Sequence, residues 1–214
     1  MSENKRDFDQ EAASWDDNPV RVKLSEDLGN ALCAAVTLTP DMRVLDFGCG
    51  TGLVTLRVAP RVASVTGADT SQGMLDVLMA KAAAAGINTV RPFLIGPDGA
   101  LPEETYDLAM SSMTLHHVAD IPALLRALHA RLAPGGWLCA ADLDPEDGEF
   151  HADPAGVFHN GIDRALLREQ LVSAGFSEIT ATTAAEVTKP DRSGALRTFT
   201  VFLMTGRRQA ESDA

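Results

Sequence analysis

The sequence predicts a doubly wound α/β fold, in which a seven-stranded, mainly parallel sheet carries helices on both faces. Three observations lead there. Short apolar runs alternate with stretches of helical period, as βαβ units require. The first of these runs ends in glycines at alternate positions, Gly48, Gly50 and Gly52, where a strand hands over to a helix. Only a few residues around 190–194 separate the last two runs. That is too few for a parallel crossover, so these strands pair as an antiparallel hairpin.

Each element follows from its local signal. Pro19 opens an apolar-periodic helix through Val22, Leu28, Leu32, Cys33 and Val36, ending near Thr39-Pro40. Residues 42–47 form a buried strand closed by glycine, residues 52–60 a short helix, and residues 62–68 a second strand ending at Asp69. Ser71 can cap a helix that runs to Gly86. Strands over 90–95 and 106–111 come next, then a helix over 121–132 stopped by Pro134-Gly135-Gly136 and a strand over 137–143. A helix over 163–174 ends at Gly175, and strands over 178–187 and 196–205 close the chain.

Composition narrows the function. A chain of 214 residues fits one domain with little room for a second. With 45% hydrophobic and 22% charged residues it is neither disordered nor collagen-like. Lys and Arg total 18 against 30 Asp and Glu, and the net charge of -12 disfavours a nucleic-acid partner. Cys33, Cys49 and Cys139 are too few and too scattered for a disulfide framework or a zinc ribbon. A polar N-terminus without a secretory h-region, and no apolar run approaching about 18 residues, predict a cytoplasmic protein with no membrane partner.

The segment Val44-Leu45-Asp46-Phe47-Gly48-Cys49-Gly50-Thr51-Gly52 is the most informative. Glycines there let a ligand approach the main chain, and the loop falls beyond the carboxyl ends of the strands, where open α/β sheets bind ligands. A dinucleotide loop would read G-x-G-x-x-G, but Leu53 stands where the last glycine should be, and no G-K-[ST] follows. Asp69 lies 21 residues after Gly48 at the end of the next strand, where a carboxylate can accept from both ribose hydroxyls of an adenosine.

Val44 to Gly52 resembles the first motif of the class I, Rossmann-like S-adenosylmethionine-dependent methyltransferases. The resemblance continues through Gly67-Ala68-Asp69-Thr70-Ser71, Met74, Leu101-Pro102, Tyr106-Asp107 and Leu115-His116-His117-Val118. It runs on through Leu132-Ala133-Pro134-Gly135-Gly136 to Ala174-Gly175-Phe176, about residues 40–176. It implies strand order 3-2-1-4-5-7-6 with strand 7 antiparallel. It also implies a small-molecule methyltransferase that uses S-adenosyl-L-methionine and releases S-adenosyl-L-homocysteine. By the same resemblance Asp46 orients the glycine loop and meets the amino group of the cofactor. Gly48 and Gly50 pass beneath its methionine part, Asp69 holds the ribose, and Thr70 and Met74 flank the adenine. Ser112 and Trp15 complete the cofactor contacts. A sulfonium and an ammonium without phosphates suit carboxylates better than an anion nest. The pattern departs at Pro97, where relatives carry the Asp that binds the adenine amine; Asp98, one place later, takes that role or serves only as a turn residue. Residues 1–39 are expected to form an N-terminal lid or helix segment, and residues 40–214 the cofactor-binding methyltransferase domain.

Methyl transfer needs positioning and, for a protonated acceptor, a base. Candidates are His116, His117, Asp142, Asp144, His151 and His159, with His117, His159 and His151 the expected catalytic residues. His129 is expected on the surface. The stretch 142–161 reads as a solvated acidic loop with a few substrate contacts; its spacing matches no metal site. No N-P-P-[YFW] follows the fourth strand and no Cys follows a Pro, absences that favour a small-molecule acceptor over a base in DNA. Three other readings are compatible with the motifs: a non-catalytic adenosine-binding regulator, a methyltransferase with a protein acceptor, and a nicotinamide-dependent oxidoreductase. Nothing in the sequence fixes the oligomeric state.

Overall fold

A computed structural model describes residues 7–210. In chain order its helices and strands are α1 (Phe8–Glu11), α2 (Pro19–Ala35), β1 (Arg43–Phe47), α3 (Thr55–Val58), β2 (Ser64–Asp69), α4 (Gln72–Ala84) and β3 (Val90–Leu94). They continue with β4 (Tyr106–Ser112), α5 (Ile121–Arg131), β5 (Leu132–Leu143), α6 (Arg164–Ser173), β6 (Phe176–Pro190) and β7 (Leu196–Arg208). The strands form one sheet in the expected order β3-β2-β1-β4-β5-β7-β6. Strand β7 runs antiparallel to β5 and β6, and the remaining pairs are parallel.

Successive side chains of a strand face opposite ways, so a strand buried throughout needs cover on both faces. Val44 and Leu45 of β1 are both fully buried. Val44 joins Val65, Leu108 and Met110 against Leu28 and Leu32 of α2 and Leu75 and Leu78 of α4. Leu45 joins Ala68, Ala109, Leu138 and Ala140 against Leu124, Leu125 and Leu128 of α5 and Leu167 and Leu171 of α6. The sheet is therefore wound on both sides. Its helices start where side chains take up free N–H groups. Asn18 accepts from Val20 N at 2.9 Å, Ser71 from Met74 N at 3.1 Å, Asp120 from Ala123 N at 2.8 Å and Asp163 from Ala165 N at 2.8 Å. Each such cap contributes about 1 kcal/mol.

Several boundaries differ from expectation for local reasons. The helix expected over 52–60 is a single turn, α3, followed by a 3-10 turn at Ala59–Arg61, because Pro60 supplies no N–H to extend it. Helix α2 ends at Ala35, since Val36 is already extended. Strand β5 starts at Leu132, ahead of the Pro-Gly-Gly breaker, and a register shift between Tyr106 and Leu108 absorbs the irregularity. Strands β6 and β7 extend to Pro190 and Arg208, with bulges between Ser177 and Thr180 and between Thr183 and Ala185. Within this hairpin Ala185, Val187 and Phe199 pack in the core layer of α2. His129 is half-buried rather than at the surface, edge-on to Phe176 with ring centroids 4.9 Å apart. No helix among the described residues is long and apolar enough to cross a membrane.

Candidate active site

A cavity of about 620 Å³ opens at the carboxyl ends of β1, β2 and β4, within the roughly 300–1,000 Å³ of small-molecule sites. Its floor is the loop after β1. The N–H groups of Gly48 and Cys49 both donate to the Ala68 carbonyl, at 2.7 and 3.2 Å, and Gly50 N donates to Asp69 Oδ2 at 2.8 Å. These bonds fold the loop back onto the end of β2. Gly48 has φ +70°, and a Cβ there would lie 2.2 Å from Thr114 Cγ2. Gly50 has φ +52°, yet a Cβ would meet nothing within 4 Å, so open space lies directly above the main chain.

Two carboxylates border that space. Asp46 is 2% exposed and accepts from Thr55 Oγ1 at 2.5 Å. Burial, assisted by the charge of Asp69, pushes its carboxyl up to about 7 against the Thr55 hydrogen bond. Burial also raises Asp69, while the Ser71 and Gly50 amides hold it back. Desolvated carboxylates in a cavity are compensated best by a cation, which restores the charged form. Thr70, Met74, Ile95 and Ser112 continue the wall on this side. Met113, next to Ser112, takes φ 55°, a strained setting for a residue with a Cβ, at the turn that delivers Thr114 to the glycine loop.

The N-terminal segment closes over this end. Asp9 Oδ1 accepts from Ser71 Oγ at 2.5 Å and Gly73 N at 2.8 Å, and Asp16 accepts from Thr51 Oγ1 at 2.6 Å and Lys81 Nζ at 2.5 Å. Phe8 and Trp15 thereby line the cavity, 5.9 Å apart edge to face, with the Arg21 guanidinium 3.9 Å over Trp15. Sequence reasoning singled out Trp15 and a lid segment but missed Asp9 and Asp16, whose spacing carries no signal.

The far wall comes from α2, β6 and the loops after β4 and β5, with Leu24, Val187, Lys189, Phe150 and the histidines. His117 and His151 line the cavity, as does His116 between them, with ring centroids 4.2 and 4.7 Å from that of His116. Lys189 donates to the Phe150 carbonyl and lies 4.1 Å over the Phe150 ring, where burial lowers its ammonium. Asp144 is committed to Arg164, with two bonds of 2.6 Å that hold its carboxyl below the usual range against its partial burial. Two predicted residues stand apart from the lining. His159 directs Nε2 at the Val118 carbonyl, 2.9 Å away, and pins the loop after β4 instead. Asp98 is exposed and accepts from Ala100 N at 3.2 Å, the part of a turn residue. Among the described residues no group of three or more His, Cys, Asp or Glu could hold a metal ion.

A methyltransferase-domain family matches residues 23–180. The ubiquinone biosynthesis O-methyltransferase of Rhizobium etli is 32% identical over 132 residues, 59% of this chain and 53% of that one. The malonyl-[acyl-carrier protein] O-methyltransferase of Serratia marcescens is 32% identical over 138 residues, 64% of this chain and 51% of that one. This chain thus spans about half the length of the curated relatives it matches. Phosphoethanolamine N-methyltransferase 2 of Haemonchus contortus, solved with phosphomonomethylethanolamine and S-adenosylhomocysteine, superposes with a TM-score of 0.68. At 15% identity over 85% of this chain and 52% of that one, it shares the fold.

Proposed function

The chain belongs to the class I S-adenosylmethionine-dependent methyltransferase family, and on that premise we propose that it methylates an oxygen of a small-molecule acceptor. The observation that carries the reading is the pair of desolvated carboxylates, Asp46 and Asp69, on a glycine loop whose open side faces the cavity. That arrangement suits a nucleoside that is cationic and free of phosphate. Two curated relatives named as O-methyltransferases support oxygen as the acceptor atom.

When bound, the donor supplies a methyl carbon activated by its sulfonium. The chain supplies the rest. Asp46, with Gly48 and Gly50, holds the amino-acid end of the donor, Asp69 the ribose, and Thr70, Met74 and Ser112 the space around the base. Phe8 and Trp15 act as a lid that keeps water from the reacting centre. His117 and His151 line the acceptor end, whereas His159 supports the loop from behind.

The test incubates the full chain with S-adenosylmethionine labelled in its methyl group and a panel of phenols and aliphatic hydroxy compounds. Label in a small-molecule ether with stoichiometric S-adenosylhomocysteine is the expected outcome. Saturable binding of the donor without turnover on any acceptor would establish the non-catalytic reading, and label only in added protein would make the acceptor a macromolecule.

A further inference from the structure

We propose that the buried pair His116 and Asp142 is the base of this reaction, which assigns the acceptor to compounds that enter as a protonated hydroxyl. This rests on the methyltransferase reading and deepens it. His116 lies in the turn after β4 and Asp142 near the end of β5, neighbouring strands that bring together residues 26 positions apart. Asp142 is 0% exposed and His116 1%. The imidazole Nδ1 lies 2.7 Å from Asp142 Oδ1, and the same carboxylate accepts the backbone N–H of His116 at 3.2 Å and of Leu143 at 2.7 Å. An ionised carboxylate only accepts, so Nδ1 carries the hydrogen and the neutral ring keeps its lone pair on Nε2. His116 is among the residues that line the cavity, and Asp142 is not.

The groups that face His116 are Asp142 of β5, His117 beside it and His151 on the loop after β5. His117 Nδ1 lies 2.7 Å from the Gly156 carbonyl, a dipole, whereas His116 has a full carboxylate. A charge pair taken this far out of water is expensive to keep, and a proton that arrives with each turnover gives it a use. As the acceptor oxygen bonds to the methyl carbon, its proton passes to His116 Nε2, the O–H pair stays on oxygen and the C–S pair leaves with sulfur. The positive charge lost at sulfur reappears on an imidazolium beside Asp142. His116 touches the acceptor and Asp142 is a positioning residue.

The test uses the full chain and two readouts. With S-adenosylhomocysteine bound, 4-nitrophenol, yellow only as phenolate, is expected to ionise about one pH unit or more below its midpoint in solution. His116→Gln and Asp142→Asn should return it to the solution midpoint with unchanged affinity for S-adenosylhomocysteine. In turnover, His116→Gln should lower kcat by about 10²-fold or more, the usual share of a general base, most for the least acidic phenols, and added imidazole should restore His116→Gly. A solution midpoint in the parent, the same midpoint in parent and variants, or an unchanged kcat would overturn the assignment. Absence of S-adenosylhomocysteine binding to the parent would instead overturn the methyltransferase reading, and the assignment with it.

Discussion

Replacing Asp46 by Asn is expected to stabilise the ligand-free protein above neutral pH while weakening its hold on the methyl donor. Asp46 is buried, and its carboxyl sits at about 7 in the fold against 3.8 in the unfolded chain. A carboxyl raised in this way binds its proton more tightly when folded, so its contribution to stability declines as pH rises from about 4 to about 7 and is level beyond. The difference of about 3 pH units, at roughly 1.4 kcal/mol each, amounts to about 4 kcal/mol. About 3 kcal/mol of this falls between pH 5 and pH 8. Asn keeps the volume and an oxygen for Thr55 Oγ1 but never ionises, so it does not carry this loss. Urea unfolding of both proteins at pH 5 and pH 8 reads it: the advantage of the variant should grow by about 3 kcal/mol across the interval. Calorimetry at pH 6 in buffers of different ionisation enthalpy should show close to one proton released by the parent when S-adenosylmethionine binds, and none by the variant. If the parent and the variant lose stability in parallel from pH 5 to pH 8, Asp46 is not the desolvated group inferred here.

Three further outcomes follow from the same geometry. Gly48→Ala places a Cβ 2.2 Å from Thr114 at φ +70° and should cost about 1–3 kcal/mol of stability, seen as a lower Tm; an unchanged Tm would mean the loop relaxes freely. Asp69→Ala should weaken S-adenosylhomocysteine binding by about 1.5–3 kcal/mol, the range for hydrogen bonds to a charged group, and equal affinity in calorimetry would remove Asp69 from the ribose. Trp15→Ala should speed dissociation of S-adenosylhomocysteine in stopped flow while leaving the fold intact, and an unchanged rate would reduce Trp15 to a packing residue.

The sheet was legible because its signals are local. Glycines at 48, 50 and 52 ended β1, Asp69 ended β2, and the few residues before the last strand allowed only a hairpin, which the structure turns at residues 191–195. Strand lengths in that hairpin were less so, because bulges such as that between Thr183 and Ala185 let pairing continue past the point where alternation fades. The site divides in the same way. Asp46, Gly48 and Gly50 lie in one glycine motif, and with Asp69, at the end of the next strand, they line one cavity. The bond between His116 and Asp142 depends on β4 and β5 being neighbours, and Asp9 reaches Ser71 only because the N-terminal segment crosses the top of the sheet. Neither contact has a spacing that sequence alone can read. His159 shows the converse: a histidine on a loop near the site, turned to the Val118 carbonyl by a bond nothing in the sequence announces.

Calorimetric titration of the full chain with S-adenosylhomocysteine addresses the core of this account. The carboxylates Asp46 and Asp69 on the glycine loop require saturable, one-to-one binding, with no comparable heat from NAD. A flat titration with S-adenosylhomocysteine, or saturation by NAD in its place, would contradict it.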